Sequence, residues 1–205
     1  MVETLTTGII LRAFNTNKLC IFTRSLGKIF CFVKKSQLKN PLIAGCKLNM
    51  SLGKKHHDTL HIEYIDTLLY PDIQDTGELF WLHHMLELYY YYLPEHQTSL
   101  RDFDFLDYYL TLKKQTQTFL QHSCLQKLAV SHFLAQTGFY EQASLHRYAK
   151  IFEEVIDPTN TSRVPFSQIG TEEVSIQNLI LRCLQEHPQF HKFKTIPFLY
   201  GGRTL

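Results

Sequence analysis

The sequence predicts an α+β chain, with an N-terminal five-stranded β-barrel followed by an all-helical part. Two changes along the chain carry this prediction. Apolar residues alternate with period two in the first third, then recur at helical spacing after Pro71. Charge changes as well. Residues 1–66 hold ten Lys/Arg and four Asp/Glu, a net of +6, whereas residues 67–205 hold eleven and fifteen, a net of −4. A basic first part joined to an acidic remainder predicts two units with different partners, 1–70 and 71–205. With 44% hydrophobic and 20% charged residues, the chain has the means to bury its own core, which excludes wholesale disorder.

The strands are expected at 7–14, 18–23, 28–34, 48–52 and 59–67. Each is short and rich in apolar residues. Asn15-Thr16-Asn17 and Ser25-Leu26-Gly27 are turn-length connections of turn-forming residues. A basic stretch containing Pro41 and Gly45 separates the third strand from the fourth. Five short strands in so few residues fit a small closed barrel, and the OB-fold is the one expected for 1–70.

Helices are expected at 78–93, 103–121, 124–136, 141–156 and 171–186. Asp75 or Thr76 is the cap expected for the first, and Pro94 lies just past its end. Asp102 or Ser99 is expected to cap the second, Gly138 to end the third and Asp157-Pro158 to end the fourth. Thr171 is the expected cap of the fifth, with Glu172 and Glu173 in its first turn. The basic tail from about 187, with Pro188, Pro197 and Gly201-Gly202, is expected to be loosely ordered.

Strand side chains alternate between faces, so each early strand has an aliphatic side and a mixed one. Ile9, Leu11 and Ala13 are expected to face inward, opposite Ile10, Arg12 and Phe14. Leu19 and Ile21 oppose Lys18, Cys20 and Phe22; Ile29, Cys31 and Val33 oppose Lys28, Phe30, Phe32 and Lys34. Rings beside cations are what single-stranded nucleic acid requires, because bases stack on aromatics and Lys/Arg neutralise phosphates. The expected DNA-binding residues are Arg12, Lys18, Arg24, Lys28, Lys34, Lys35 and Lys39 for phosphates, with Phe22, Phe30 and Phe32 for bases. The competing expectation is that the phenylalanines pack under the helices while the cations line the rim.

Other chemistries find little footing. The five cysteines form no CxxC pair, and among the eleven histidines none sits in an HExxH motif, so no metal or cofactor is expected. Phosphate-loop, dinucleotide and nucleophile-elbow glycine patterns are all missing. The acids Asp102, Asp104 and Asp107 are explained as a solvated first turn of a helix. The run of four tyrosines at 89–92 is expected to point several ways round a helix. No catalytic constellation emerges, and a non-enzyme is expected. No apolar run approaches the roughly 18 residues of a membrane-spanning helix, and no signal peptide is expected at the start.

Several segments, in order, resemble the bacterial recombination mediator RecO family. Gly8-Ile9-Ile10-Leu11-Arg12, then Leu19-Cys20-Ile21-Phe22-Thr23 and Leu26-Gly27-Lys28-Ile29, are similar to that family's opening strands and turn. Pro41-Leu42-Ile43-Ala44-Gly45 is similar to the segment after its basic loop. Tyr92-Leu93-Pro94-Glu95-His96, followed by Phe103, Phe105-Leu106 and Tyr108-Tyr109-Leu110, is the strongest likeness, and Leu134-Ala135-Gln136-Thr137-Gly138-Phe139 follows it. The likeness covers about residues 5–140. It departs from many relatives in carrying no four-cysteine zinc site and a thinner basic loop.

The resemblance implies an OB-fold before a helical domain, binding of single- and double-stranded DNA, and annealing of complementary strands. It also implies partnership with RecR and with the C-terminal tail of the single-strand binding protein, indirect help to RecA loading, and a cytoplasmic, nucleoid-associated location. The acidic helical half is expected to bind protein, with Lys113, Lys114 or Arg147 rimming a groove for an acidic tail. Two alternatives stay open: an RNA-binding OB-fold protein, or a protein-interaction module that has lost nucleic-acid binding.

Overall fold

The computed structural model describes residues 4–14, 17–34, 41–54, 59–112, 119–138, 140, 143–156 and 166–200. It is α+β, a five-stranded sheet followed by helices. The strands are β1 (Thr4–Phe14), β2 (Lys18–Thr23), β3 (Gly27–Phe32), β4 (Lys47–Lys54) and β5 (Leu60–Leu69). Helices α1 (Thr76–Tyr92) and α2 (Leu100–Leu112) follow, then α3 (Phe119–Gln136), α4 (Ala143–Ile156), α5 (Phe166–Glu186) and the short α6 (Ile196–Leu199).

The chain divides into two compact units, Met1–Thr111 and Leu112–Leu205. The division falls some forty residues later than the composition change at 70, because α1 and α2 pack on the sheet. Phe22 on β2 supplies much of the reason. It is wholly buried, 5.5 Å from the Tyr89 ring of α1 and 5.9 Å from the Phe103 ring of α2. The two helices are also tied together. The Tyr89 hydroxyl donates to the Asp102 carbonyl (2.8 Å) and the Tyr109 hydroxyl to the Trp81 carbonyl (3.3 Å).

In the first unit the sheet closes in the order β1-β2-β3-β5-β4, with β4 returning to pair with β1. Among the described residues the strand pairings are antiparallel except β3 with β5, which run parallel and meet at Cys31↔Leu60 and Phe32↔His61. Alternate residues of the strands fill the inside: Ile10, Ile21, Ile29, Met50 and Ile62, with Leu19, Cys31 and Leu48. Period-two alternation on β2 and β3 follows the expected faces. On β1 it does not. Ile10 faces the interior and pairs with Ile21, and the next pair is Arg12 with Cys20, which leaves Leu11 as an extra residue. This bulge breaks the alternation, so Ile10 points in while Arg12 and Phe14 point out. Ile9, expected inside, is opposite the outward Phe22 and is buried on that side.

The short β3–β5 pairing leaves the first half of β3 without a strand neighbour there. The chain after α1 fills that place. Glu95 forms a parallel bridge with Lys28, and the His96 N–H donates to the Lys28 carbonyl at 3.0 Å. Gly27 makes the approach possible. Its φ is +70°, and a Cβ there would lie 2.1 Å from the Gln97 carbonyl oxygen.

The helices start where short polar side chains take their free N–H groups. Asp75 accepts from the Glu78 N–H (2.8 Å), while the Glu78 carboxylate accepts from the Gln74 N–H (2.8 Å). Ser99 caps α2, accepting from Asp102 N–H at 3.2 Å, so that helix begins three residues before the expected position. Residues 119–121, expected to end the second helix, begin α3 instead. Helix α5 starts five residues ahead of its expected position, so Thr171 lies inside it and is not its cap.

The second unit packs α3 against α4 and α5 around Leu128, Phe133, Phe152, Ile176 and Ile180. Buried Lys127 crosses from α3 to Glu173 on α5 at 2.5 Å, and the Ser123 hydroxyl donates to the same carboxylate oxygen. Removing one partner of such a pair strands the other charge, at about 3–5 kcal/mol. The stretch from 187, expected to be loosely ordered, is structured as far as residue 200. Phe193, Thr195 and Tyr200 are buried, and the Gln177 side chain donates to the Tyr200 carbonyl at 3.0 Å. Pro197 sits in the first turn of α6, where its missing N–H costs nothing. Among the described residues, no helix is long and apolar enough to cross a membrane.

Two tests follow from this packing. Gly27→Ala forces a side chain into backbone at a left-handed φ, and urea unfolding should show a loss of about 2 kcal/mol or more. His84, wholly buried in α1 with Trp81 edge-on to it at 6.1 Å, is held neutral, because burial lowers its pKa from 6.5 to about 3. The unfolded chain therefore takes up a proton that the folded chain refuses. Stability is full above about pH 6.5 and falls below it, by up to about 1.4 kcal/mol per pH unit. Urea midpoints between pH 7 and pH 5 should fall in the wild type and fall less in His84→Met; equal falls would assign the effect elsewhere.

Candidate functional site

The bulge at Leu11 and the β1–β2–β3 register set one cluster on the outside of the sheet. Outward Phe14 pairs with outward Lys18 on β2, which in turn pairs with Phe32 on β3. Phe30 pairs with Cys20, and Cys20 with Arg12, so those three form the adjacent row. The last turns of α1 add Tyr90. Phe14, Phe30 and Tyr90 make a triangle of half-buried rings, with centroids 6.0 Å, 6.2 Å and 6.5 Å apart.

Cations lie over these rings. The Arg12 guanidinium is 4.9 Å from the Phe14 centroid and 5.4 Å from that of Tyr90. The Lys18 ammonium is 5.2 Å from Phe30 and 5.8 Å from Phe14. Each contact is worth about 0.5–1 kcal/mol at an exposed site, enough to preorder the side chains and weak enough to exchange for a ligand. Burial pushes the Tyr90 hydroxyl pKa up, and it pushes the Cys20 thiol beneath the cluster up to about 12. Neither offers an anion near neutral pH. The cluster therefore presents apolar ring faces and two cations, with the exposed Glu95 carboxylate near enough to act on Tyr90 and Cys20.

The expected DNA-binding residues separate into groups. Arg12, Lys18 and Phe30 come together in the cluster. Phe22 does not: it is fully enclosed by Tyr89 and Phe103 and has no face for a base, which corrects its expected stacking role. Phe32 turns to His61 at the β3–β5 junction, the rings stacked 5.7 Å apart. Lys28 is 7% exposed and its ammonium donates to the Tyr90 carbonyl at 2.7 Å, which sets it apart from the exposed cations of this face. Arg24 is exposed and paired with Asp104 at 3.3 Å. Lys34 is exposed, two residues past the end of β3. Lys35 and Lys39 lie outside the described residues.

Sequence reasoning missed Phe14 and Tyr90 as site residues. Phe14 was legible, since it shares a face with Arg12. Tyr90 was one of four consecutive tyrosines, and periodicity alone does not choose which of them turns toward β3. Lys47 was also missed. It pairs with Asp107 at 2.6 Å beside a cleft of about 480 Å³ lined by Leu68, Leu69, Asp104 and Tyr108.

For the helical unit, Arg147 is exposed, bonded to Glu172 at 2.7 Å and laid over Tyr148. Its charge is thus already met by a neighbouring carboxylate. Lys113 and Lys114 lie outside the described residues. All five cysteines are buried thiols whose pKa is raised by burial, Cys31 to about 12 and both Cys124 and Cys183 to about 11. Among the described residues, no group of three or more His, Cys, Asp or Glu side chains gathers as a metal ion requires.

Comparison with protein-family models finds no match to this chain, and comparison with curated proteins finds none.

Phe22 and Phe30, both on the outer face, are predicted to behave differently. Phe22→Ala empties a closed site and should lower stability by about 3–5 kcal/mol in urea unfolding. Phe30→Ala, at a half-buried position, should cost clearly less. Equal losses would mean that Phe30 is a core residue and its ring is not available to a ligand.

Proposed function

We propose that the first unit is an OB-fold and binds single-stranded nucleic acid across Arg12, Phe14, Lys18, Phe30 and Tyr90. One observation carries the reading: two half-buried rings and two cations share one outer face of a closed sheet, and the half-buried ring of Tyr90 on α1 joins them. The strand order and the parallel pairing of β3 with β5 support the OB-fold assignment. Bases stack on the rings, each worth about 1–3 kcal/mol, while Arg12 and Lys18 exchange ring faces for phosphates. No bond is made or broken, and no cofactor is needed.

The resemblance to the RecO family extends the proposal to DNA recombination and repair. In this reading the protein binds single- and double-stranded DNA in the bacterial cytoplasm near the nucleoid. Neutralised phosphates lower the repulsion between complementary strands, and annealing follows. RecR, the C-terminal tail of the single-strand binding protein and, indirectly, RecA are its proposed partners.

Fluorescence anisotropy of a labelled oligothymidylate over a range of salt tests the binding. Two phosphate contacts predict a log–log slope of about −1.4, and Lys18→Met should flatten it by about 0.7. Phe30→Ala should weaken binding at every salt concentration and leave the slope alone. No binding at low salt would remove the proposal. Tighter binding to the RNA strand than to its DNA counterpart would move it to the RNA-binding alternative. An annealing assay with complementary strands then tests the role in recombination.

A further inference from the structure

Resting on that binding surface, we propose that Lys28 is a positioning residue of the nucleic-acid site: it holds the C-terminal end of α1 so that Tyr90 completes the ring cluster, and it contacts no phosphate itself. The last carbonyls of a helix lack partners within the helix, and the negative end of the helix dipole lies there. Helix α1 has no basic residue in its last turn to meet this charge. Lys28 supplies it from β3. Its ammonium donates to the Tyr90 carbonyl at 2.7 Å and stands 5.4 Å from the Tyr90 ring centroid.

The backbone of Lys28 acts on the same segment. Its carbonyl accepts from the His96 N–H, and it bridges Glu95 just past the helix end. Side chain and main chain together therefore fix both sides of the turn that follows Tyr90. The ring of Tyr90 then reaches Phe14 and Phe30, which belong to β1 and β3. Lys28 is buried, which sets it apart from exposed Lys18 on the same outer face. Burial also lowers its pKa, with Glu95 acting against that shift.

The test compares Lys28→Met, Lys28→Arg and Lys18→Met for binding of oligothymidylate across salt, with thermal unfolding of each variant in parallel. A phosphate ligand contributes to the salt slope, and a positioning residue does not. Lys28→Met should weaken binding about five- to twentyfold with the slope unchanged, at temperatures where the variant stays folded. Lys28→Arg, which keeps a charged donor, should recover most of the loss. Lys18→Met should flatten the slope. A slope flattened equally by Lys28→Met would make Lys28 a phosphate ligand and overturn the inference alone. Unchanged affinity in Lys28→Met would overturn it too. If the wild type does not bind, the surface itself is gone, and the inference with it. Should Lys28→Met fail to fold, Lys28→Gln, which keeps a donor and loses the charge, makes the same comparison.

Discussion

Every strand of a closed sheet has two faces, and closure commits the inner one to the core. Here that core is Ile10, Ile21, Ile29, Met50 and Ile62 with their neighbours, all close to fully buried. The outer face of β1, β2 and β3 is then what remains for everything else. Part of it is used for folding: Ile9 and Phe22 are buried on that side, Phe22 against Tyr89 and Phe103. The rest carries Arg12, Phe14, Lys18 and Phe30. A single extra residue at Leu11 makes this division possible on β1, because it lets Ile10 enter the core and Arg12 leave it.

The excess positive charge of residues 1–66 has several destinations. Lys47 and Arg24 pair with Asp107 and Asp104 of α2, and Lys28 meets the end of α1. Arg12 and Lys18 lie over rings. A net charge read from sequence therefore overstates the number of phosphates the surface can hold. Ion pairs to α2 use the same lysines and arginines that a simple count offers to a nucleic acid. Of the acids read from sequence as a solvated first turn of α2, Asp104 and Asp107 are partners for Arg24 and Lys47.

Strand positions and the change to helices were legible because alternation and helical spacing are strong local signals. β2 was placed at its observed limits, and the Asp75 and Ser99 caps were among those expected. The outer places of Arg12 and Phe14 were legible, but the faces of Ile9 and Ile10 were not, since a bulge leaves no mark in an apolar run such as Ile9-Ile10-Leu11. The unit boundary was missed for a related reason. The composition change at Pro71 marks where strands give way to helices, but burial of Phe22 binds the first two helices to the sheet. The order of residues 187–200 depends on Phe193 and Tyr200 finding buried places, which only the assembled helices provide. Arg12, Phe14, Lys18 and Phe30 of the ring–cation cluster were legible as strand faces; Tyr90 comes from a helix far along the chain, and only tertiary packing brings it there.

The most direct measurement of the central claim is an NMR titration of the aromatic ¹³C–¹H signals with unlabelled oligothymidylate. If the outer face of β1–β3 is the binding surface, the signals of Phe14, Phe30 and Tyr90 shift together, and those of enclosed Phe22 and Phe103 stay in place. Shifts confined to Tyr64, Tyr108 or the rings of the helical unit, with the cluster unmoved, would contradict it.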